Sequence, residues 1–69
     1  MPNEADKLFN SDEAAKYLDI DRRTLEGWRY RRNVGPKFLR YSNRVVRYRK
    51  SDLDAFLERS VVEPEAVNE

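Results

Sequence analysis

Two side chains that carry much of the chemistry in proteins are absent from this 69-residue chain, which has neither cysteine nor histidine. Without cysteine there is no disulfide, no thiolate nucleophile and no thiolate metal ligand. Without histidine, the commonest general base and metal ligand is missing as well. With only two glycines, the chain also lacks a glycine-rich phosphate loop. These absences argue against an enzyme, and we expect no catalytic residues, no metal site and no cofactor.

Long hydrophobic segments are also missing. No apolar run approaches the roughly 20 residues that a transmembrane helix needs, and the N-terminus has no signal-peptide pattern. The lack of cysteine fits a reducing compartment. A chain of 69 residues forms one domain with a small core. We therefore expect a single-domain cytoplasmic protein.

The charges are nearly balanced in total but are unevenly distributed. The formal net charge is +1, yet residues 1–21 carry −4, residues 22–50 carry +10 and residues 51–69 carry −5. The central segment contains nine arginines, whose planar guanidinium groups suit phosphates and guanine edges. This basic segment indicates a nucleic-acid-binding surface, and the alternative is chance clustering of solvated charges.

Two helices separated by a short link are predicted in the first half of the chain. Asn10 and Glu13 have the spacing of a capping box, so a first helix begins near residue 11 and runs to about residue 18. Asp21 can cap a second helix over residues 22–32. The three-residue link between them is typical of a helix-turn-helix.

A hairpin and a third helix are predicted to follow. Two β-rich runs, residues 37–41 and 44–49, flank Ser42-Asn43, which predicts a tight turn. Ser51 begins a capping-box-like segment, so the third helix runs from there to about Arg59 or Ser60. The predicted organisation is a flexible N-terminus (residues 1–7), a folded domain (8–60) and an acidic disordered tail (61–69).

The second helix has two unlike faces. At about 100° per residue, Leu25 and Trp28 lie on one side, and a basic, hydrogen-bonding stripe lies opposite. That stripe includes Gly27, which costs roughly 1 kcal/mol relative to alanine and would allow a partner's backbone to approach closely. A solvated charged face is the alternative interpretation. The residues predicted to bind nucleic acid from this helix are Arg22, Arg23, Thr24, Glu26, Gly27, Tyr30 and Arg31.

The hairpin is predicted to be a second basic contact surface. In its second strand, Val46 and Tyr48 share one face and should point inward, leaving the arginines outward. The predicted contact residues of the hairpin are Arg40, Ser42, Asn43, Arg44, Arg47 and Arg49. The predicted core residues are Ala14, Leu18, Leu25, Trp28, Val46, Tyr48, Leu53, Phe56 and Leu57.

Three segments carry a resemblance to a known family. They are Leu-Phe-Asn-Ser-Asp-Glu-Ala-Ala-Lys-Tyr-Leu (8–18), Arg-Arg-Thr-Leu-x-x-Trp (22–28) and Arg-Tyr-Arg-Lys-Ser-Asp-Leu-Asp-Ala-Phe-Leu (47–57), with Gly35-Pro36 between the last two. Together they resemble the small MerR-like winged helix-turn-helix family, which includes phage and integrative-element excisionases (recombination directionality factors) and AlpA-type regulators. Arg29 stands where that family commonly has an aliphatic residue. The resemblance implies a mainly α fold with a two-stranded wing, a recognition helix in the major groove and a wing on the adjacent backbone or minor groove.

The resemblance and the basic centre together predict a sequence-specific double-stranded-DNA-binding protein that is not an enzyme. An excisionase that bends attachment-site DNA and directs a tyrosine or serine integrase toward excision is favoured, because the chain consists only of a DNA-binding domain. An AlpA-type transcription regulator remains the alternative, and no small-molecule effector is expected. A protein-interaction module that uses its acidic ends is a third hypothesis, which predicts no salt-sensitive DNA affinity. The expected partners are DNA, an integrase and neighbouring copies on DNA. We expect a bacterial or phage-encoded protein that is associated with the nucleoid in the cytoplasm.

Overall fold

Three helices pack around a small antiparallel sheet in the computed structural model, which describes residues 7–31 and 33–64. The elements in chain order are β1 (Leu8–Phe9), α1 (Ser11–Leu18), α2 (Arg22–Trp28), β2 (Leu39–Arg40), β3 (Val46–Arg49) and α3 (Lys50–Arg59). The strands lie in the order β1-β3-β2. This arrangement confirms the mainly α winged helix-turn-helix. The predicted two-stranded wing is extended by a third strand, β1.

The capping box at the start of α1 is confirmed. The Asn10 side chain accepts a hydrogen bond from the Glu13 backbone N–H at 2.8 Å, and the Glu13 carboxylate accepts one from the Asn10 N–H at 2.9 Å. At the other end, Asp19 adopts the left-handed conformation with φ 59°, which aspartate tolerates better than most residues. Because that single residue turns the chain, α2 can start after only three linking residues.

The second helix is shorter than predicted. It ends at Trp28 and not near residue 32, and the Asp21 side chain makes no capping hydrogen bond at its start. The backbone N–H groups of residues 29–31 bond to carbonyls three residues earlier, at 3.0–3.2 Å. This spacing belongs to tight turns and not to an α-helix. Tyr30 and Arg31 therefore follow the helix and do not lie on its outward stripe.

The turn of the β2–β3 hairpin is longer than predicted. The connection spans residues 41–45 and not Ser42-Asn43 alone. The Ser42 hydroxyl accepts hydrogen bonds from the backbone N–H groups of Arg44 and Val45 at 3.3 and 3.2 Å. A serine side chain commonly closes a turn in this way. Ser42 thus has a structural role in shaping the wing.

Strand β1 pairs with β3 on the side away from the wing. Phe9 is opposite Tyr48, and Leu8 is opposite Arg49. Phe9 is buried, and its ring lies 5.3 Å from that of Tyr17 on α1. This pairing joins the residues before α1 to the central strand. Because it connects segments about 40 residues apart in sequence, no local pattern indicates it.

The core lies between the sheet and the helices. Of the predicted core residues, Trp28 and Phe56 are partly buried and pack against it with ring centroids 5.5 Å apart. Leu57 was also predicted to be buried, but it is 41% exposed. The inner face of α3 is formed by Leu53 and Phe56. Leu57 lies on the other side of Leu53 from Phe56, at the edge of that face. The buried core residues are Phe9, Ala14, Ala15, Leu18, Leu25, Val46, Tyr48 and Leu53.

The start of α3 differs from the prediction. The helix begins at Lys50, one residue before Ser51, and has no side-chain capping hydrogen bond. Two ion pairs take the place of the predicted capping box: Arg49 with Asp52 at 3.1 Å, and Lys50 with Asp54 at 3.0 Å. The helix ends at Arg59, as predicted.

Parts of the predicted terminal segments lie outside the described residues, namely 1–6 and 65–69. The flexible N-terminus and disordered tail therefore stay predictions. None of the helices in residues 7–31 and 33–64 has the length and hydropathy needed to cross a bilayer.

Candidate nucleic-acid interface

The outward face of α2 is open to solvent. Arg23, Thr24 and Gly27 are exposed, whereas Leu25 is 1% exposed and lies on the opposite side. A Cβ atom added to Gly27 would meet no atom within 4 Å. Nothing inside the described chain therefore requires a glycine at this position. The exposed face is consistent with close approach of another molecule.

Arg22 and Glu26, also predicted contacts, are already paired with each other. The Arg22 Nε lies 3.6 Å from the Glu26 carboxylate, and its Nη1 lies 3.3 Å from that of Asp12 on α1. The Arg22 side chain is 56% exposed, so each pair contributes only about 0–1 kcal/mol. Glu26 is half-buried. It therefore offers less of its carboxylate to a partner than Arg23 offers of its guanidinium group.

The predicted contacts after α2 are strongly exposed. Tyr30 is 83% exposed, and Arg31 is also exposed. Both residues lie on the turn that follows Trp28. They extend the exposed basic surface beyond the C-terminal end of the helix.

The wing presents exposed cations around its turn. Arg40, Asn43 and Arg44 are exposed, and the Arg40 guanidinium lies 5.5 Å from the centre of the Phe38 ring. Arg47 is half-buried on the outward face of β3, and its Nη1 donates to the Val46 carbonyl at 2.8 Å.

Arg49 is set apart from the other wing residues. It is three positions from Val46 along β3, a distance of about 10 Å, and it lies opposite Leu8 of β1. Its guanidinium group is paired with Asp52 at 3.1 Å. Among the predicted wing contacts, Arg49 is therefore the one that the sheet directs toward α3.

An open cleft lies between α2 and the wing. Its polar walls come from the start of α1, from α2 and from the wing. The two carboxylates in the wall, Asp12 and Glu26, both pair with Arg22. In the part of the chain that the structure describes, no cluster of acidic side chains could hold a metal ion. The arginines that line the cleft are Arg22, Arg29, Arg44 and Arg47.

Arg29 was not among the predicted contacts. Its Nη1 donates to the Tyr48 hydroxyl at 2.8 Å and to the Ser11 hydroxyl at 3.1 Å. Burial raises the pKa of Tyr48, and the Arg29 hydrogen bond opposes that shift. One sequence signal was available: Arg29 lies four residues after Leu25, on the inward side of the predicted helix. An arginine on an inward face needs a polar partner, which Tyr48 supplies.

Comparison with known proteins identifies the family. The sequence matches a family model described as a helix-turn-helix domain over residues 8–61, a range that covers every helix and strand of the described residues. A search of curated proteins found no match. The family match supports sequence-specific DNA binding. The chain belongs to this helix-turn-helix domain family, which includes small DNA-binding proteins of the excisionase and AlpA types.

Proposed function

We propose that this protein binds double-stranded DNA sequence-specifically, with α2 in the major groove and the β2–β3 wing on the adjacent backbone or minor groove. One observation carries the proposal: an arginine of α2, the arginine just after that helix and two arginines of the wing border the same open cleft. A duplex lying across the cleft would contact both surfaces at once. The family match supports the same activity.

Within α2, Arg23 is the proposed base-reading residue. It is exposed on the outward face and is not among the ion pairs of the described residues. An arginine fork can donate two hydrogen bonds to the O6 and N7 atoms of guanine. Glu26 is a second candidate, for cytosine, but reading a base would require its carboxylate to turn from Arg22.

The wing is proposed to position the protein and not to read sequence. Arg44 is an exposed cation within the connection of residues 41–45, and Arg40 is an exposed cation at the end of β2 beside it. Phosphate contacts of this kind fix the orientation of a protein on the duplex and carry no direct sequence information.

The division of labour between helix and wing can be tested with two variants. Arg23→Ala should weaken binding to the specific site by about 1–3 kcal/mol and relax the preference at one base pair. Arg44→Ala should weaken specific and random DNA to similar extents. Fluorescence anisotropy on both duplexes measures these losses. Lys16→Ala is the matched control, because Lys16 is an exposed cation of α1 outside the cleft.

Equal losses on specific and random DNA for Arg23→Ala would contradict the assignment of α2 as the base-reading element. If the unmodified chain bound neither duplex, the DNA-binding proposal itself would fail, and the protein-interaction module would become the leading hypothesis.

For the biological role, we propose an excisionase that bends attachment-site DNA for a tyrosine or serine integrase, which would perform the strand chemistry. An AlpA-type transcription regulator is the second candidate. The excisionase role is supported by the charge distribution, −4 and −5 on either side of a +10 centre. Such segregation favours head-to-tail contact between copies on neighbouring sites, which builds an open array along DNA.

The two roles predict different results in binding and recombination experiments. An excisionase should be monomeric alone in ultracentrifugation, should shift multi-site DNA cooperatively, and should stimulate excision by its integrase in a reconstituted reaction. A regulator should protect a promoter from cleavage in footprinting without affecting that reaction. A stable dimer in free solution, or independent occupancy of adjacent sites, would contradict the proposed array.

A further inference from the structure

Arg29 is a cation held between α1 and β3, and no carboxylate of the described residues forms an ion pair with it. It is half-buried, and none of the ion pairs in residues 7–31 and 33–64 includes it. Both side chains to which it donates hydrogen bonds, Tyr48 and Ser11, are neutral hydroxyls. Partly burying a charge without an opposite charge is unfavourable. An anion from outside the described chain would supply the missing charge.

The position of the Arg29 guanidinium group is set by the fold. Its Nη1 is occupied by the Tyr48 and Ser11 hydroxyls. Tyr48 is fully buried, so its hydroxyl is a rigid anchor. An arginine has five N–H donors, so the three on Nη2 and Nε remain to bind another group. A guanidinium group held in this way can donate two parallel hydrogen bonds to two oxygens of a phosphate.

Other arginines converge on the same place. Arg22, Arg44 and Arg47 line the cleft together with Arg29, against the carboxylates of Asp12 and Glu26. Those side chains give the cleft a formal charge of +2. Because both carboxylates pair with Arg22, the excess positive charge is concentrated around the other three arginines.

We propose that this cleft binds one backbone phosphate of the DNA, that Arg29 is its central contact, and that Tyr48 aims the Arg29 guanidinium group at it. The inference rests on the proposed function and adds a specific contact to it. A phosphodiester fits better than a base edge, because Arg29 is recessed between the helix and the wing. A phosphate bound there would couple the recognition helix to the wing.

The test is a scan in which single phosphates of the specific duplex are replaced by neutral methylphosphonates. The duplex is first obtained by selecting bound sequences from a random pool. For the unmodified chain, we expect several sensitive positions, and at the one bound by Arg29 neutralisation should weaken binding by about tenfold. For Arg29→Met, neutralisation at that same position should change binding less than about twofold, because the contact is already lost.

Three further proteins separate a contact from a structural effect. Arg29→Met combined with Tyr48→Phe also removes the buried Tyr48 hydroxyl, so that only the half-buried Ser11 hydroxyl loses its partner. It therefore keeps the test valid if Arg29→Met alone does not fold. Tyr48→Phe alone keeps the cation and should reduce the sensitivity to the same phosphate without abolishing it. Lys16→Met removes one exposed charge elsewhere and should retain the full tenfold sensitivity. The salt slope, d log K/d log [salt], should become less negative by about 1 in the Arg29 variants only.

The outcomes distinguish this proposal from the proposed function. A folded Arg29→Met protein with the same phosphate sensitivity as the unmodified chain would overturn the subsite while leaving DNA binding intact. Unchanged sensitivity in Tyr48→Phe would overturn the aiming role of Tyr48. If the unmodified chain selected no duplex at all, both the proposed DNA-binding function and the proposed phosphate subsite would be contradicted.

Discussion

Gly35 lies against the indole of Trp28 so closely that a Cβ atom on the glycine would stand 2.8 Å from the Trp28 Cε3 and 3.0 Å from its Cβ. Gly35 also has a positive φ of 84°, and Asn33, two residues earlier, has φ 59°. These left-handed residues turn the chain after α2 and bring it back over Trp28. The return loop therefore depends on a residue without a side chain at position 35.

Gly35→Ala should destabilise the protein. The left-handed conformation costs roughly 1–2 kcal/mol for a residue with a Cβ, and the crowding against Trp28 adds to it. We expect the free energy of unfolding to fall by about 2–3 kcal/mol, measured by urea denaturation followed by circular dichroism. A loss under about 0.5 kcal/mol would show that the loop can move away from Trp28 at little cost.

Gly27→Ala should have the opposite effect on stability. The position is helical and a Cβ there meets no neighbour within 4 Å, so alanine should stabilise folding by about 0.5–1 kcal/mol. The same variant should bind specific DNA more weakly, because a methyl group would separate α2 from the duplex. Thermal melting measures the stability of the variant, and an anisotropy titration on the same protein preparation measures its DNA affinity. Increased stability with unchanged affinity would mean that Gly27 does not face DNA.

Trp28→Ala tests whether the indole is part of the fold or a platform for stacking bases. Trp28 is half-buried and packs on Phe56 with ring centroids 5.5 Å apart. We expect a loss of about 3 kcal/mol in unfolding free energy, the low end for replacing a large aromatic residue by alanine. Circular dichroism must follow the transition, because this variant lacks the chain's single tryptophan. A stable variant that had lost only DNA affinity would contradict the core assignment.

The features that the sequence predicted well depend on neighbouring residues. The capping box of Asn10 and Glu13 is complete within four positions, so its side chains and backbone are together in any helix that starts there. The alternation of β3 likewise placed Val46 and Tyr48 inward, and both are buried. Such signals do not require knowledge of the rest of the fold.

Several of the features that were missed depend on contacts outside the segment that carries the sequence pattern. The last residue of α2, Trp28, is covered by the returning Gly35, and helix periodicity over residues 22–32 does not indicate that contact. The Arg29–Tyr48 hydrogen bond joins residues 19 positions apart. In the candidate interface, exposed residues could be predicted from helical spacing, whereas the cleft exists only after α1, α2 and the wing are packed together.

A cluster of Tyr17, Lys50 and Asp54 makes stability depend on pH at both extremes. The Tyr17 hydroxyl donates to the Asp54 carboxylate, which also accepts from Lys50 at 3.0 Å. The hydrogen bond from Tyr17, followed by that from Lys50, lowers the pKa of Asp54 below its ordinary 3.8. The hydrogen bond to Asp54 is the main cause that raises the pKa of Tyr17 above 10.0 and that of Lys50 above 10.5.

The sign of each contribution follows from its shift. The lowered pKa of Asp54 gives stability that is present above pH 3.8 and is lost as pH falls through the folded-state pKa. The raised pKa values of Tyr17 and Lys50 give stability that is present below about pH 10 and is lost as pH rises through their folded-state values. Asp54→Asn should therefore flatten the curve of unfolding free energy against pH at both ends. Glu58→Gln, a neutralised carboxylate on an exposed site of α3, should keep the unmodified curve, and an unchanged curve for Asp54→Asn would contradict the cluster's role.

DNA binding through the basic central segment is tested most directly by the salt dependence of the affinity. Residues 22–50 carry a net charge of +10, and if about five phosphates are neutralised, log K should fall against log salt with a slope of roughly −4 to −5. An anisotropy titration of one labelled duplex, repeated across a series of potassium chloride concentrations, measures that slope. A slope between −4 and −5 is the predicted result, and a slope near zero would contradict DNA binding by this chain.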